Sequence, residues 1–395
     1  MKDVVEGEDT EDGYEVNDEN LDSANTEFLL TDADNDTAAD GSDATPLISD
    51  LDYRDNDSAP VVDLDSTADH DDANRDFANT FVDNGPPVNV ANVTLADGSS
   101  DGDNDLAQLT IGVNRSLFVD GNNEVLTIGG VSFPLSTLVT TPVEVAAGES
   151  RYDVTYDAFT GLFSIVNADA GEVLNESDLD TLIRGITYSN SLLEPTPGDR
   201  TVAFTLTDES GQVSLPAVAT ISVTVTDTDG DGSSDAVEGG QDRNSDGIDD
   251  AIQSDVATVI NPVTGAFVTI EVTSAEGCNV LTNSDHLFES ELAEQDPDAD
   301  YFLGLTDFFV QCIEPGGSAD VTVYWDQDYD TTDWLYRKFD EASGFSNFED
   351  YVTYGTADVD GQSVTTVSYT VTDGGLGDAD GVANGTIYDL SLIHI

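Results

Sequence analysis

Short runs of alternating apolar and polar residues, separated by Gly, Asn and Asp, fill residues 58–226 and predict antiparallel strands. Within 201–207, Val202, Phe204 and Leu206 share one face. Within 220–226, Ile221, Val223 and Val225 do the same against Thr and Ser outside. Both patterns suit half-buried strands of a sandwich. One stretch breaks the alternation: Leu179, Leu182, Ile183 and Ile186 follow helical spacing behind Ser177, a good N-cap, and predict one short helix crossing between the sheets. From 227 to 255 the apolar periodicity vanishes and Asp, Asn, Gly and Ser dominate, which predicts an inter-domain linker. Alternation returns in 267–272, 307–313, 320–325 and 363–372, with turns at Pro315-Gly316-Gly317, Asp360-Gly361 and Asp373-Gly374-Gly375. Residues 1–57 carry only two short apolar islands, Phe28 to Leu30 and Pro46 to Ile48, and read as mostly loop. The expected class is all-β: an acidic N-terminal loop region (1–57), a β-sandwich (58–226), a loop linker (227–255) and a second sandwich-like domain (256–389).

Charge changes this picture. The 395 residues hold 82 Asp plus Glu against 10 Lys plus Arg, a formal net charge of -72. Self-repulsion therefore weighs heavily at neutral pH, and nucleic acid and anionic membrane are excluded as partners. With 38% hydrophobic residues the chain can still bury ordinary cores and is not wholly disordered. Divalent cations cannot neutralise it globally, since roughly four calcium ions would cancel only about eight charges. They must act at particular loops. The two cysteines, Cys278 and Cys312, rule out a disulfide-dense miniprotein and a four-cysteine zinc site. Each lies on or beside a predicted strand of one domain, so a single disulfide is expected in an oxidising compartment, with two buried free thiols as the alternative. No apolar run reaches membrane-spanning length, and the first 25 residues contain neither a basic n-region nor an apolar h-region, so an exported form is expected to carry its signal upstream.

The linker holds the most specific chemistry. Asp227, Asp229, Asp231, Gly232, Asp235 and Glu238 spell D-x-D-x-D-G with acids at the ninth and twelfth places. Calcium needs oxygen ligands at alternate positions, a sharp turn at the sixth, and a bidentate acid at the twelfth. Fifteen residues on, Asp242, Asn244, Asp246, Gly247 and Asp250 repeat the pattern with Gln253 at the twelfth place, predicting a weaker second site. A third copy, Asp32, Asp34, Asp36, Asp40 and Asp43, has Thr37 in place of the turn glycine. Chance strings of aspartate in an acidic chain are the competing account, least tenable for the tandem pair. No helical pattern flanks the loops, so paired EF-hands are not expected. The pair resembles thrombospondin type 3 calcium repeats. That resemblance implies Ca²⁺ ligands at Asp227, Asp229, Asp231, Asp235 and Glu238, and at Asp242, Asn244, Asp246 and Asp250, with Gln253 departing from the pattern.

The phrase ITYSNSLLEPTPGDRTVAFTLTDESGQVSLPAVATISVTV, residues 186–225, resembles the closing strands of cadherin-like domains repeated in large bacterial adhesins. DNDSAPVVDLD, residues 55–65, resembles the junctions between them. The resemblance implies a spacer or adhesive sandwich beside neighbouring repeat domains of the same chain, with calcium near its ends. Candidates there are Asp55, Asp57, Asp101, Asp103 and Asp105, against the alternative of plain solvated loop acids. YFLGLTDFFVQCIEPGGSADVTVYW from Tyr301, with VTDGGLGDADGVANG ending at Gly385, is similar to the choice-of-anchor U domain, which sits ahead of anchoring signals in exported bacterial proteins. In it Asp378, Asp380 and Asn384 could form half a calcium loop, or simply a solvated tight turn.

No catalytic constellation is legible. His70, His286 and His394 lack a metal-ligand or nucleophile partner at a recognisable spacing, and acid pairs are too common here to signify hydrolysis. The chain therefore reads as non-catalytic: a calcium-binding fragment of a secreted or surface-anchored adhesin-like protein. Two alternatives stand beside it. Tyr324, Trp325, Tyr329, Trp334, Tyr336, Phe345, Phe348 and Tyr351 crowd one stretch and could bind surface glycans, although strand alternation assigns about half of them to a core. The chain could also be the accessory tail of a secreted hydrolase. Residues 390–395, Leu-Ser-Leu-Ile-His-Ile, match no expected element and resemble a translated sequencing-adapter end, with an anchor expected beyond. The competing account is a final apolar strand, which if unpaired would leave a sticky edge.

Overall fold

The computed structural model describes residues 59–65, 75–92, 99–100, 106–292, 295–296, 299, 301–340 and 344–394. Asp32, Asp34, Asp36, Asp40, Asp43, Asp55, Asp57, His70, Asp101, Asp103 and Asp105 lie outside them. The described chain is all-β and falls into two compact units, the first drawing on residues up to 81, 85–191 and 196–223, the second on 82–84, 192–195 and 224 onward.

In chain order the first unit's strands are β1 (Val61–Val62), β2 (Phe77–Val82), β3 (Val88–Asn89), β4 (Ser99–Ser100), β5 (Leu106–Val113), β6 (Glu124–Ile128), β7 (Val131–Pro134), β8 (Val139–Ala147), β9 (Ser150–Asp157), β10 (Leu162–Asn167), β11 (Thr187–Asn190), β12 (Gly198–Asp208) and β13 (Ala217–Thr224). A seven-stranded sheet, β2-β13-β12-β5-β10-β9-β8, and a four-stranded sheet, β3-β11-β6-β7, contribute to one core; β1 pairs with β4. Period-two alternation does the sorting. Val202, Phe204 and Leu206 of β12 and Ala219, Ile221 and Val223 of β13 are buried while their neighbours are not, as the sequence pattern requires. Phe163 joins the sheets, stacking on Tyr156 at 4.1 Å and meeting Phe133 edge-on at 5.7 Å. Burying a side chain of this size is worth about 1.5–3 kcal/mol.

The predicted helix exists as α1 (Glu176–Arg184), burying Leu179, Leu182 and Ile183. Its cap is Asn175, not Ser177: the Asn175 side chain accepts the Asp178 N–H at 3.0 Å, and Ser177 falls inside the first turn. At the same unit's core, β12 carries Arg200 inward. Its Nε donates to Glu124 at 2.6 Å, and its Nη atoms reach Asp120, Thr196 O and Gly198 O, while Tyr188 Oη donates to Glu124 at 2.8 Å.

The second unit opens with residues 224–255, which hold a one-turn helix α2 (Asp235–Glu238). The segment read as an inter-domain linker is hydrogen-bonded within this unit, Asp231 O accepting from Ser284 and Glu238 from the Thr258 N–H. The strands are β14 (Val256–Ile260), β15 (Phe267–Thr273), β16 (Cys278–Leu287), β17 (Leu305–Cys312), β18 (Ser318–Tyr324), β19 (Leu335–Asp340), β20 (Gly344–Asn347), β21 (Thr353–Val359), β22 (Gln362–Thr372) and β23 (Thr386–His394). They form two five-stranded sheets, β14-β15-β18-β22-β21 and β16-β17-β23-β19-β20. Val268, Ile270, Val321, Val323, Val367 and Val371 from the first meet Phe308, Val310, Ile387 and Ile393 from the second in one core. A smaller cluster of Tyr301, Leu305, Phe339, Leu390 and Leu392 includes the alternate residues of β17, β19 and β23.

Residues 390–394 are strand, as in the final apolar strand of the competing account. They continue β23, which is paired on both sides, Leu305 opposite Leu392 and Tyr336 opposite Ile393, so no sticky edge arises from this strand. Cys278 and Cys312 face each other across β16 and β17 and form a disulfide.

Candidate metal centre

The first loop winds because its own carboxylates hold its backbone. Asp227 accepts N–H groups from Gly230 at 2.7 Å and Gly232 at 3.1 Å, and Asp231 accepts from Ser233 at 2.8 Å. Gly232 is required twice over. It sits at φ 102°, and a Cβ there would come within 2.3 Å of Ser284 N and 2.5 Å of Asn283 Cα. That close approach is fixed by Ser284, whose N–H and hydroxyl both donate to Asp231 O. The result brings one oxygen each of Asp227, Asp229 and Asp231 within 4.8 Å of one another, the one such group of three among the described residues.

Two further carboxylates bear on this triad. Glu238, at the end of α2, is 1% exposed and accepts the Thr258 N–H of β14 at 2.6 Å. Asp250, from the second loop, is fully buried and accepts the Thr258 hydroxyl at 3.1 Å and the Arg243 N–H at 3.2 Å. Burial is the largest influence on each acid and the neighbouring negative charges add to it. The Asp231 carboxyl is pushed up to about 8, Glu238 to about 9 and Asp250 to about 6, with Asp229 raised as well. Asp229 Oδ2 and Asp231 Oδ2 are buried and have no hydrogen-bond donor.

The remaining sequence candidates divide. Asp235 turns to Thr228, accepting its N–H at 2.8 Å and its hydroxyl at 2.6 Å, and does not join the triad. The second loop is wound alike: Asp242 accepts from Asp246 N at 2.9 Å and Gly247 N at 3.0 Å, and Asp246 accepts from Ile248 N at 2.9 Å. Asn244 accepts from Asp246 N at 3.2 Å but directs its amide to Glu271 at 3.3 Å. Asp242, Asp246 and Asp250 do not converge as the first triad does. At the far end of the unit's sequence, Asp378 accepts from Gly374 N and Tyr388 N, and Asp380 accepts from Val382 N and the Asn384 amide, which makes this a hydrogen-bonded turn.

An all-oxygen, carboxylate-rich donor set with buried oxygens lacking donors suits a hard divalent cation, which Asp227, Asp229 and Asp231 could hold; Glu238 and Asp250 do not join this group of three. The sequence pattern finds the loop residues. It does not show that Asp250 sits with the first loop, because that depends on Thr258 bridging Glu238 and Asp250.

The aromatic stretch is largely core: Trp325, Trp334, Tyr336 and Phe348 are buried, and Tyr351 is exposed. His286 is buried too, with Nε2 in a hydrogen bond to Leu303 O at 2.6 Å. Among the described residues no helix is long and apolar enough to cross a membrane.

No family model matches the chain, and no curated protein matches it in sequence. Among solved structures it is similar to one described as manganese lipoxygenase of Gaeumannomyces graminis with partial zonadhesin of Komagataella pastoris, at 13% identity and TM-score 0.24, covering 86% of this chain and 85% of that one. It is also similar to the C-terminal domain of the Streptococcus agalactiae AgI/II polypeptide BspA, at 10% identity and TM-score 0.15, covering 73% of this chain and 74% of that one. Likeness this slight carries no functional argument.

Proposed function

We propose that the chain is a non-catalytic, calcium-binding part of an exported adhesin-like protein, acting as a spacer or adhesive stalk whose segment 227–253 is set by calcium. One observation carries the reading. Asp231 and Glu238, with Asp229 and Asp250 beside them, are carboxylates drawn out of water, and among the described residues the cationic side chain acting on them is Arg243, which bears on Asp250. Burial and mutual repulsion hold Asp231 and Glu238 toward their protonated forms, and a divalent cation would stabilise the carboxylates by taking the place of those protons. The tandem D-x-D-x-D-G spacing and the hydrogen-bonded winding of both loops support calcium as the ion, and an extracellular module of this kind is expected to bind at about 10⁻⁴ to 10⁻³ M. The thrombospondin type 3, cadherin-like and choice-of-anchor U resemblances support the cell-surface setting. A glycan-binding reading has less behind it, since the aromatic side chains it would need mostly fill the core.

The test is limited proteolysis and isothermal titration on the whole chain. Calcium should protect residues 227–253, and Asp231→Asn combined with Glu238→Gln should abolish the binding heat. Equal cleavage with calcium and with chelator would refute the assignment.

A further inference from the structure

Lys338 and Asp389 form a second buried charge pair in the second unit, unrelated to the acidic loops. Lys338 lies in β19 opposite Ser391 of the adjacent β23, so Asp389 is its diagonal neighbour on the same face of the sheet. Lys338 Nζ contacts Asp389 Oδ2. Neither side chain reaches solvent appreciably, at 7% and 0% exposure. The amine sits over two rings, 4.4 Å from the centroid of Tyr369 and 5.0 Å from that of Phe348. Asp389 Oδ1 accepts the Ser391 hydroxyl, whose oxygen is 3.3 Å from Tyr369 Oη. Asp378 acts on the amine as the further carboxylate.

An ammonium ion enclosed this way loses its hydration, and burial pulls Lys338 below the ordinary lysine range. Passing one proton from Nζ to Oδ2 replaces two buried charges with a neutral amine and a neutral carboxylic acid. These are a nucleophile and an acyl donor held in contact, a situation equivalent to about 10⁵–10⁸ M of reactant when the alignment is good. The Ser391 hydroxyl on Oδ1 polarises the acyl carbon and steadies the oxyanion.

We propose that Lys338 and Asp389 condense to an intramolecular amide, cross-linking β19 to β23. The Nζ lone pair attacks Asp389 Cγ, the N–C bond forms, and the Cγ–Oδ2 bond breaks. Of the three ammonium protons, one stays on nitrogen and two leave with Oδ2 as water. Nothing is oxidised or reduced, and no co-reactant is needed.

The experiment is intact mass spectrometry of the reduced, denatured full chain, followed by a tryptic map. The expected mass is one water below that of the sequence, with cleavage after Lys338 blocked and a branched peptide joining Lys338 to Asp389. Lys338→Arg should restore the full mass. A full-mass wild-type chain that is folded by circular dichroism overturns the proposal and leaves an ordinary ion pair. So does a missing water that maps to any Asp-Gly pair of the chain, such as Asp229-Gly230 or Asp231-Gly232, where aspartate can cyclise on its own backbone. The wild-type map decides the matter even if the variant fails to fold.

Discussion

Arg200 and Glu124 sit in the core of the first unit with almost no exposure, bound to each other at 2.6 Å. Glu124→Gln takes the nearer of two acids from Arg200 and leaves Asp120 at 3.3 Å, so it should destabilise this unit by less than the about 3–5 kcal/mol that stranding a buried charge costs. Urea unfolding followed by circular dichroism would measure it; tryptophan fluorescence would not, since both tryptophans lie in the second unit. His286 gives a pH-dependent case. Burial lowers it from its ordinary 6.5 to about 4. As pH falls through 6.5 the unfolded chain takes up a proton that the folded chain refuses until about 4, so its contribution to stability is lost across that window, by about 3 kcal/mol. The stability difference between wild type and His286→Gln, measured at pH 7 and pH 4, should shift by that amount toward the variant; an unchanged difference would show that His286 titrates normally. Single residues are unevenly legible in the sequence. The D-x-D-x-D-G loops announce themselves because calcium ligation is local in sequence, whereas Arg200 meets Glu124 from another sheet, and Lys338 meets Asp389 from the adjacent strand, 76 and 51 positions away.

Among the elements, the alternation at 267–272 and 363–372 locates β15 and β22 to within one residue at each end, because alternating burial is written directly into Val268, Ile270 and Val272 or Val367, Tyr369 and Val371. The α1 cap escapes the pattern because Asn175 and Ser177 are equally good by type, and only the backbone decides which stands outside the first turn. The end of β23 escapes it because an apolar end without visible partners looks like an edge; its partners, β17 and β19, are remote in sequence. The disulfide closes a loop of sequence separation 34 between β16 and β17. In the chain-entropy account it contributes roughly 3–4 kcal/mol, so Cys278→Ser with Cys312→Ser should lower the denaturation midpoint correspondingly, and a reductant should do the same to wild type. Identical midpoints with and without reductant would argue against the bridge.

For the whole molecule the dominant quantity is the net charge of -72. Raising monovalent salt from about 0.01 M to 1 M shortens the screening length from about 30 Å to 3 Å. The melting temperature in chelator should therefore rise with salt, and calorimetry showing a flat or falling trend would mean that the charges are already spaced beyond mutual influence. The all-β class is legible at this scale because strand alternation and turn residues recur throughout; the strand order is not, since it depends on pairings between distant segments. That order has a kinetic consequence. With β23 between β17 and β19, the β16–β17 and β19–β20 hairpins each form from near neighbours but cannot join until residues 386–394 arrive. The slow step in assembling this sheet is then a search by one late segment for a slot with two open sides, and refolding should be paced by that insertion and not by the hairpins.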